Sequence, residues 1–196
     1  MRGVRARHPG FREAVVADLH MTAFNRGDRY HFRSKLDVAM QILRLALVSD
    51  AYLAQVLYRA KAALQRRHVP FLPRIAHRLM MSTAQLTIGD PVVVEPGIYI
   101  VHGQVVIDGI TKIGSGAVIA PFVSIGLQAN NLKGPTLRSF VSIGTGAKVL
   151  GDVTLGDYAQ VGANSVVVRD VADGTVVVGA PARPINTAVD PALASV

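Results

Sequence analysis

The chain has 196 residues, half of them hydrophobic, with no cysteine and a formal net charge of +8. The missing cysteines exclude a disulfide framework and any thiolate metal site, and are compatible with a reducing cytosol. The charge is uneven: residues 1–80 hold 15 Lys/Arg against 5 Asp/Glu, and residues 81–196 hold 6 against 8. A basic half can meet nucleic acid, anionic lipid or the phosphates of a substrate. This one has no recognisable nucleic-acid motif, so it reads as a solvated, Arg-rich helix face. Neither nucleic acid nor a membrane is an expected partner.

The N-terminus, MRGVRARHPGFREAVV, lacks the apolar core of a signal peptide, and a cytoplasmic location is expected. Phe11–Phe24 suits a first helix, closed by the turn signal Asn25-Arg-Gly-Asp28. Leu36–Val48 carries apolar residues at helical spacing, and Asp50–Gln65 continues in a second run. The most apolar stretch, Val38 to Tyr58, contains Arg44 and Asp50 and reads as buried helix rather than a membrane span. Pro70 and Pro73 interrupt helix over Arg66–Arg74, and Ile75–Met81 is a short last helix.

From Ile88 the period changes. Aliphatic residues recur every sixth position as Ile88, Val94, Ile100, Ile107, Ile113, Ile119 and Ile125, then from Leu137 through Ile143, Val149, Leu155 and Val161 to Val167. Two steps are irregular: seven residues from Ile100 to Ile107, and twelve from Ile125 to Leu137. From Ile113 to Val161, four positions after the aliphatic stands a small or β-branched residue: Ala117, Val123, Ala129, Val141, Ala147, Val153, Ala159 or Ser165. A period of six is neither 3.6 nor 2, so neither an amphipathic helix nor an ordinary sheet explains it. It predicts a parallel β-helix whose stacked coils bury the repeated aliphatics. The irregular steps are where function is expected on so rigid a scaffold. One falls at His102-Gly103. The other, Gly126–Thr136, is rich in Asn, Gly and Pro and reads as a loop thrown out from the helix.

Three stretches, Ile143-Gly-Thr-Gly-Ala-Lys-Val-Leu-Gly151, Val161-Gly-Ala-Asn-Ser-Val166 and Val178-Gly-Ala-Pro-Ala-Arg183, carry a likeness. With the hexads, they make the chain resemble the hexapeptide-repeat acyltransferases, and within them the serine O-acetyltransferases. The resemblance implies a left-handed parallel β-helix with three hexads per coil, about four coils and a terminal part-coil, preceded by an α-helical region. It divides the chain into a helical region at 1–81, a β-helix at 82–185 and a tail at 186–196. It also implies transfer of an acyl group, acetyl above all, from acyl-CoA to a hydroxyl or amine of a small acceptor, in a homotrimer or a dimer of trimers.

Acyl transfer needs a base for the acceptor's proton, and imidazole titrates near the operating pH. His102 is the one histidine after residue 77, and it matches the family's catalytic histidine. His8, His20, His31, His68 and His77 show no metal-ligand spacing and read as surface or helix-end residues, so no metal is expected. The resemblance places the pantetheine arm of acyl-CoA against Gly144, Ala147, Gly162, Ala163 and the turn at Gly179, with Lys148 and Arg183 to meet phosphates. Asp28, in a turn resembling the family's acidic acceptor turn, and Lys133 are the candidates for acceptor binding.

Three positions depart from the serine enzymes. Thr87 stands where they pair the histidine with Asp, Val101 where an Asp precedes it, and Lys133-Gly134-Pro135 where a loop carries a second histidine. Asp90, Glu95 and Asp108 remain candidates to orient His102. The alternatives are a sugar or secondary-metabolite O- or N-acetyltransferase of the same architecture, or a catalytically degenerate β-helix kept as a scaffold.

Overall fold

The computed structural model describes residues 7–129 and 131–188. Four helices precede a left-handed parallel β-helix: α1 (Phe11–Asn25), α2 (Lys35–Val48), α3 (Asp50–Arg66) and α4 (Leu72–Ala84). Serines set two of the starts. The Ser34 hydroxyl accepts from the Asp37 amide at 3.1 Å, and Ser49 accepts from Tyr52 at 3.3 Å, each satisfying an amide that a helix start leaves unpaired. The last helix begins earlier than its prolines predict. Pro73 lies in its first turn, where no intrahelical N–H is needed.

Three parallel sheets form the faces of a prism. Sheet A holds β1 (Thr87–Ile88), β4 (Val106–Ile107), β7 (Ser124–Gly126), β10 (Lys148–Leu150) and β13 (Val166–Val167). Sheet B holds β2 (Val93–Val94), β5 (Ile110–Ile113), β8 (Lys133–Leu137) and β11 (Thr154–Leu155). Sheet C holds β3 (Tyr99–Ile100), β6 (Val118–Ile119), β9 (Ser142–Ile143), β12 (Gln160–Val161), β14 (Thr175–Val178) and, antiparallel at its edge, β15 (Arg183–Ala188). The register repeats the hexads: Ile107 pairs with Ile125, and Leu137 with Leu155, each 18 residues or three hexads on. Every aliphatic of the six-residue series is buried in the interior. The small-residue series is buried too, except Ala129, which is exposed in the excursion between β7 and β8. Sheet A has the five strands the repeat predicts, and Val171 and Val177, beyond the series, make the terminal part-coil fuller than predicted.

Each coil donates its amides to the next, as Thr87 does to Val105 at 2.9 Å and Glu95 to Ile113 at 2.8 Å. The first coil's carbonyls therefore face the helices with no strand above them, and α3 covers them. The Tyr58 hydroxyl donates to the Val92 carbonyl at 3.0 Å, Arg59 to Val94 and, at 2.8 Å, to Glu95, and Lys61 to Ile88 at 2.6 Å. An exposed strand edge is a template for unwanted pairing, and buried carbonyls left unpaired are costly. Three long side chains of one helix, Tyr58, Arg59 and Lys61, satisfy the carbonyls of Ile88, Val92, Val94 and Glu95 and blunt that edge.

Four expectations are corrected. Within the Val38–Tyr58 stretch read as buried helix, α2 instead exposes Met40, Leu43 and Leu47. His8 is not a surface residue: it is 5 % exposed, and its ring meets Tyr58 edge-on at 6.2 Å. Burial, with Arg59, Lys61 and Arg66 close by, lowers its pKa to about 4. The loop after Ile125 is shorter than predicted, because Lys133–Leu137 is strand β8 with Gly134 and Pro135 buried. The expected tail is strand to Ala188, and its remainder lies outside the described residues.

Candidate active site

The seven-residue step has a structural cause. An added Cβ at Gly103 would stand 1.6 Å from the Ala84 carbonyl oxygen, so only glycine fits there. The Gln104 amide donates to that same carbonyl at 2.8 Å, with Gln104 in the left-handed region at φ 63°. The corner His102-Gly103-Gln104 is thereby pinned to the end of α4. His102 is exposed, and among the described residues its ring makes no hydrogen bond. It lines a cavity of about 290 Å³ between the corner and the ends of four helices, with Arg26, Ser49, Asp50, Thr83 and Gln85.

The remaining expected residues fall on definite edges of the prism. His102 lies where the chain passes from sheet C to sheet A. Gly144, Ala147 and Lys148 lie on that same edge between β9 and β10, Gly162 and Ala163 between β12 and β13, and Gly179 just past β14. At about 4.8 Å per coil, this row extends from about 10 Å to about 19 Å along the axis from His102. Arg183 is exposed at the start of β15. Two of these side chains are already engaged. The Ala147 methyl is fully buried in the core, leaving only its backbone for a ligand. Lys148 donates to the carbonyls of Phe122 at 2.8 Å and Gly146 at 3.0 Å. Coil packing also accounts for two glycines: a Cβ on Gly144 would meet the Ala163 amide nitrogen at 2.7 Å, and one on Gly162 the Val178 side chain at 2.6 Å.

Within one chain the acceptor-side candidates do not gather at His102. Lys133 sits on the A-to-B edge and pairs with Asp152 at 3.0 Å. Asp90 pairs with Lys61 at 3.0 Å and shares a different cavity with Asp108, while Glu95 is exposed on the B-to-C edge. Asp28 pairs with Arg26 at 3.3 Å and Arg44 at 3.4 Å, so it reaches the cavity only through Arg26. Asp18, in the stretch leading to that turn, is buried on Arg59 at 2.8 Å and accepts from the amides of Gly97 and Ile98. Its role is to dock α1 on the first coil. The cavity brings in Arg26, Ser49, Asp50, Gln85 and Gln104, which the sequence did not single out. Asp50 is its one carboxylate among the described residues.

The described residues hold no metal-like cluster of His, Asp and Glu, and no described helix is long and apolar enough to cross a membrane.

No protein-family model matches the chain, and no curated protein matches it. Solved structures do. Soybean serine acetyltransferase without ligand is 28 % identical, with a TM-score of 0.74 over 92 % of this chain and 71 % of that one. The Brucella abortus serine acetyltransferase is 22 % identical, with a TM-score of 0.74 over 93 % of this chain and 72 % of that one. A serine acetyltransferase in complex with CoA is 23 % identical, with a TM-score of 0.73 over 93 % and 73 % of the two chains. The chain carries the left-handed β-helix of the hexapeptide-repeat acyltransferases, and the solved structures it is similar to are serine acetyltransferases.

Proposed function

We propose that the chain is an acyl-CoA-dependent acyltransferase, serine O-acetyltransferase-like in architecture, that uses His102 as general base. The carrying observation is the position of His102. It is the one histidine of the β-helix and lines a cavity with its ring unbonded. It also heads the edge along which Gly144, Gly162, Ala163 and Gly179 follow. The likeness to a serine acetyltransferase solved with CoA supports the donor. Acyl-CoA supplies the activated thioester, acetyl above all, against the bare backbone of that edge. Lys148 and Arg183 stand toward its phosphates. His102 takes the acceptor's proton as its oxygen or nitrogen attacks, and that proton leaves with the thiolate.

The acceptor is small. Its contacts come from the helical side of the cavity, with Asp28 acting through Arg26, and from Lys133 if a neighbouring subunit presents that edge. A cytoplasmic homotrimer, alone or paired, is the assembly this reading takes. The residues 1–81, 82–185 and 186–196 serve respectively as helical region, acyltransferase β-helix and tail. The second reading, a catalytically degenerate scaffold, is favoured by Thr87, which leaves His102 without the acidic partner of the serine enzymes. A screen of acetyl-CoA consumption with serine, other amino acids, hydroxy compounds and aminosugars tests the proposal. Acceptor-dependent release of CoA supports it, and none with any acceptor favours the scaffold.

A further inference from the structure

Helix α4 is built the wrong way round for a helix of an isolated globular domain. Its inward face is mostly small: Pro73, Ala76 and Ala84, with Met80 the only large residue. Its larger aliphatics, Leu72, Ile75 and Leu79, are about half exposed in one row. Phe71, just before the first turn, is 72 % exposed and held in the left-handed region at φ 61°. That conformation is costly for a bulky residue, and here it keeps an aromatic ring in solvent beside the aliphatic row. On the flank of this row stand Arg74 and Arg78, one turn apart. Among the described residues neither has a carboxylate within ion-pair distance. Asp90 and Asp108 line a cavity with them, but Asp90 is already held by Lys61 and Asp108 accepts from the Gly109 amide.

The other exposed apolar stripe, on α2, has ion pairs beside it, Arg29 with Asp37 and Arg44 with Asp28. At α4, among the described residues, Arg74 and Arg78 make no ion pair, and the occupant of that face must supply both hydrocarbon and anions.

We propose that the α4 face, Phe71, Leu72, Ile75 and Leu79 flanked by Arg74 and Arg78, docks on an anionic lipid surface. The aliphatic row and the Phe71 ring enter the headgroup–acyl boundary, while the guanidinium groups meet lipid phosphates. This is the pattern of an interfacial amphipathic helix, and each arginine near an anionic surface strengthens binding about fivefold. Such docking stands as an alternative to the solvated Arg-rich face, with no membrane partner, expected from sequence. The cavity of His102 lies at the other end of α4, at Thr83 and Ala84, so docking leaves it open.

The test is flotation of the full chain with phosphatidylcholine vesicles, with and without about one-third phosphatidylglycerol, at low and high salt. The expected result is flotation only with the anionic vesicles, falling as salt rises. Arg74→Glu with Arg78→Glu should abolish it. Ile75→Ser with Leu79→Ser should weaken it tenfold or more, at unchanged helicity by circular dichroism. Leu36→Ser with Leu43→Ser on α2 should leave it unchanged. No flotation of the wild type, flotation insensitive to the α4 changes, or α4 variants that alter only the oligomeric state would each overturn the proposal; the last would make this face a contact between proteins.

Discussion

Arg59 grips Asp18 through two nitrogens, at 2.8 and 3.1 Å, with both side chains almost fully buried. The same guanidinium also caps carbonyls of the first coil, and the same carboxylate accepts from Gly97 and Ile98. One ion pair therefore ties α1, α3 and the open end of the β-helix together. Removing either partner leaves a buried charge unpaired. Asp18→Asn or Arg59→Met should cost about 3–5 kcal/mol, read as a lower urea midpoint. A loss under about 1 kcal/mol, the range of exposed pairs, would contradict this assignment.

Stability should fall in mild acid because of His8. Its folded-state pKa, about 4, lies below the unfolded value of about 6.5. The neutral ring is the form the fold accepts. Its contribution is full above pH about 6.5 and is lost as the pH falls toward about 4. A full shift would give roughly 2 kcal/mol at about pH 5, and solvent screening reduces that to about 1 kcal/mol. Wild type should lose about that much more than His8→Phe between pH 7 and 5 by urea titration. Parallel losses in the two proteins would show that His8 is not the group responsible.

Much of this architecture is legible in the sequence, for a definite reason. A six-residue period can be satisfied only if every sixth side chain points into one interior, so Ile88 to Val167 state the coils almost directly. The starts of α2 and α3 are readable because Ser34 and Ser49 are local caps. Strand β8 is not readable. Gly134 and Pro135 signal a turn, yet Pro135 fits at the register shift between Ile110 and Lys112, where the ladder does not need its N–H. The lining by Arg26 and Asp50 is hidden for another reason. It arises from how four helix ends pack on one corner, and no local pattern encodes that. The caps from Tyr58, Arg59 and Lys61 are hidden likewise, because their partners are backbone carbonyls.

Assembly should be trimeric. The prism is flat-sided, α2 exposes an apolar stripe, and the proposed acyltransferase reading takes a homotrimer. Light scattering at micromolar concentration should give a trimer or twice that mass. A monomer would remove the route by which Lys133 of one chain reaches His102 of another.

Free L-serine should be a poor acceptor. Its desolvated ammonium needs an anionic or strongly accepting partner, and Thr87, Val101 and Gly134 supply no charge. Asp50 lines the cavity, but Arg26 shares it. A kcat/KM for serine below about 10⁴ M⁻¹s⁻¹ is expected, under the ordinary range for natural substrates. A value at or above that level would show that Asp50 suffices.

The most direct test of the account is His102→Ala, assayed with the best acceptor from the screen alongside calorimetric titration of CoA. The account predicts that kcat falls about 10²–10⁴-fold, with CoA affinity and oligomeric mass unchanged, because the ring acts on the acceptor's proton and holds no part of the donor. Near-wild-type turnover in this variant would contradict it.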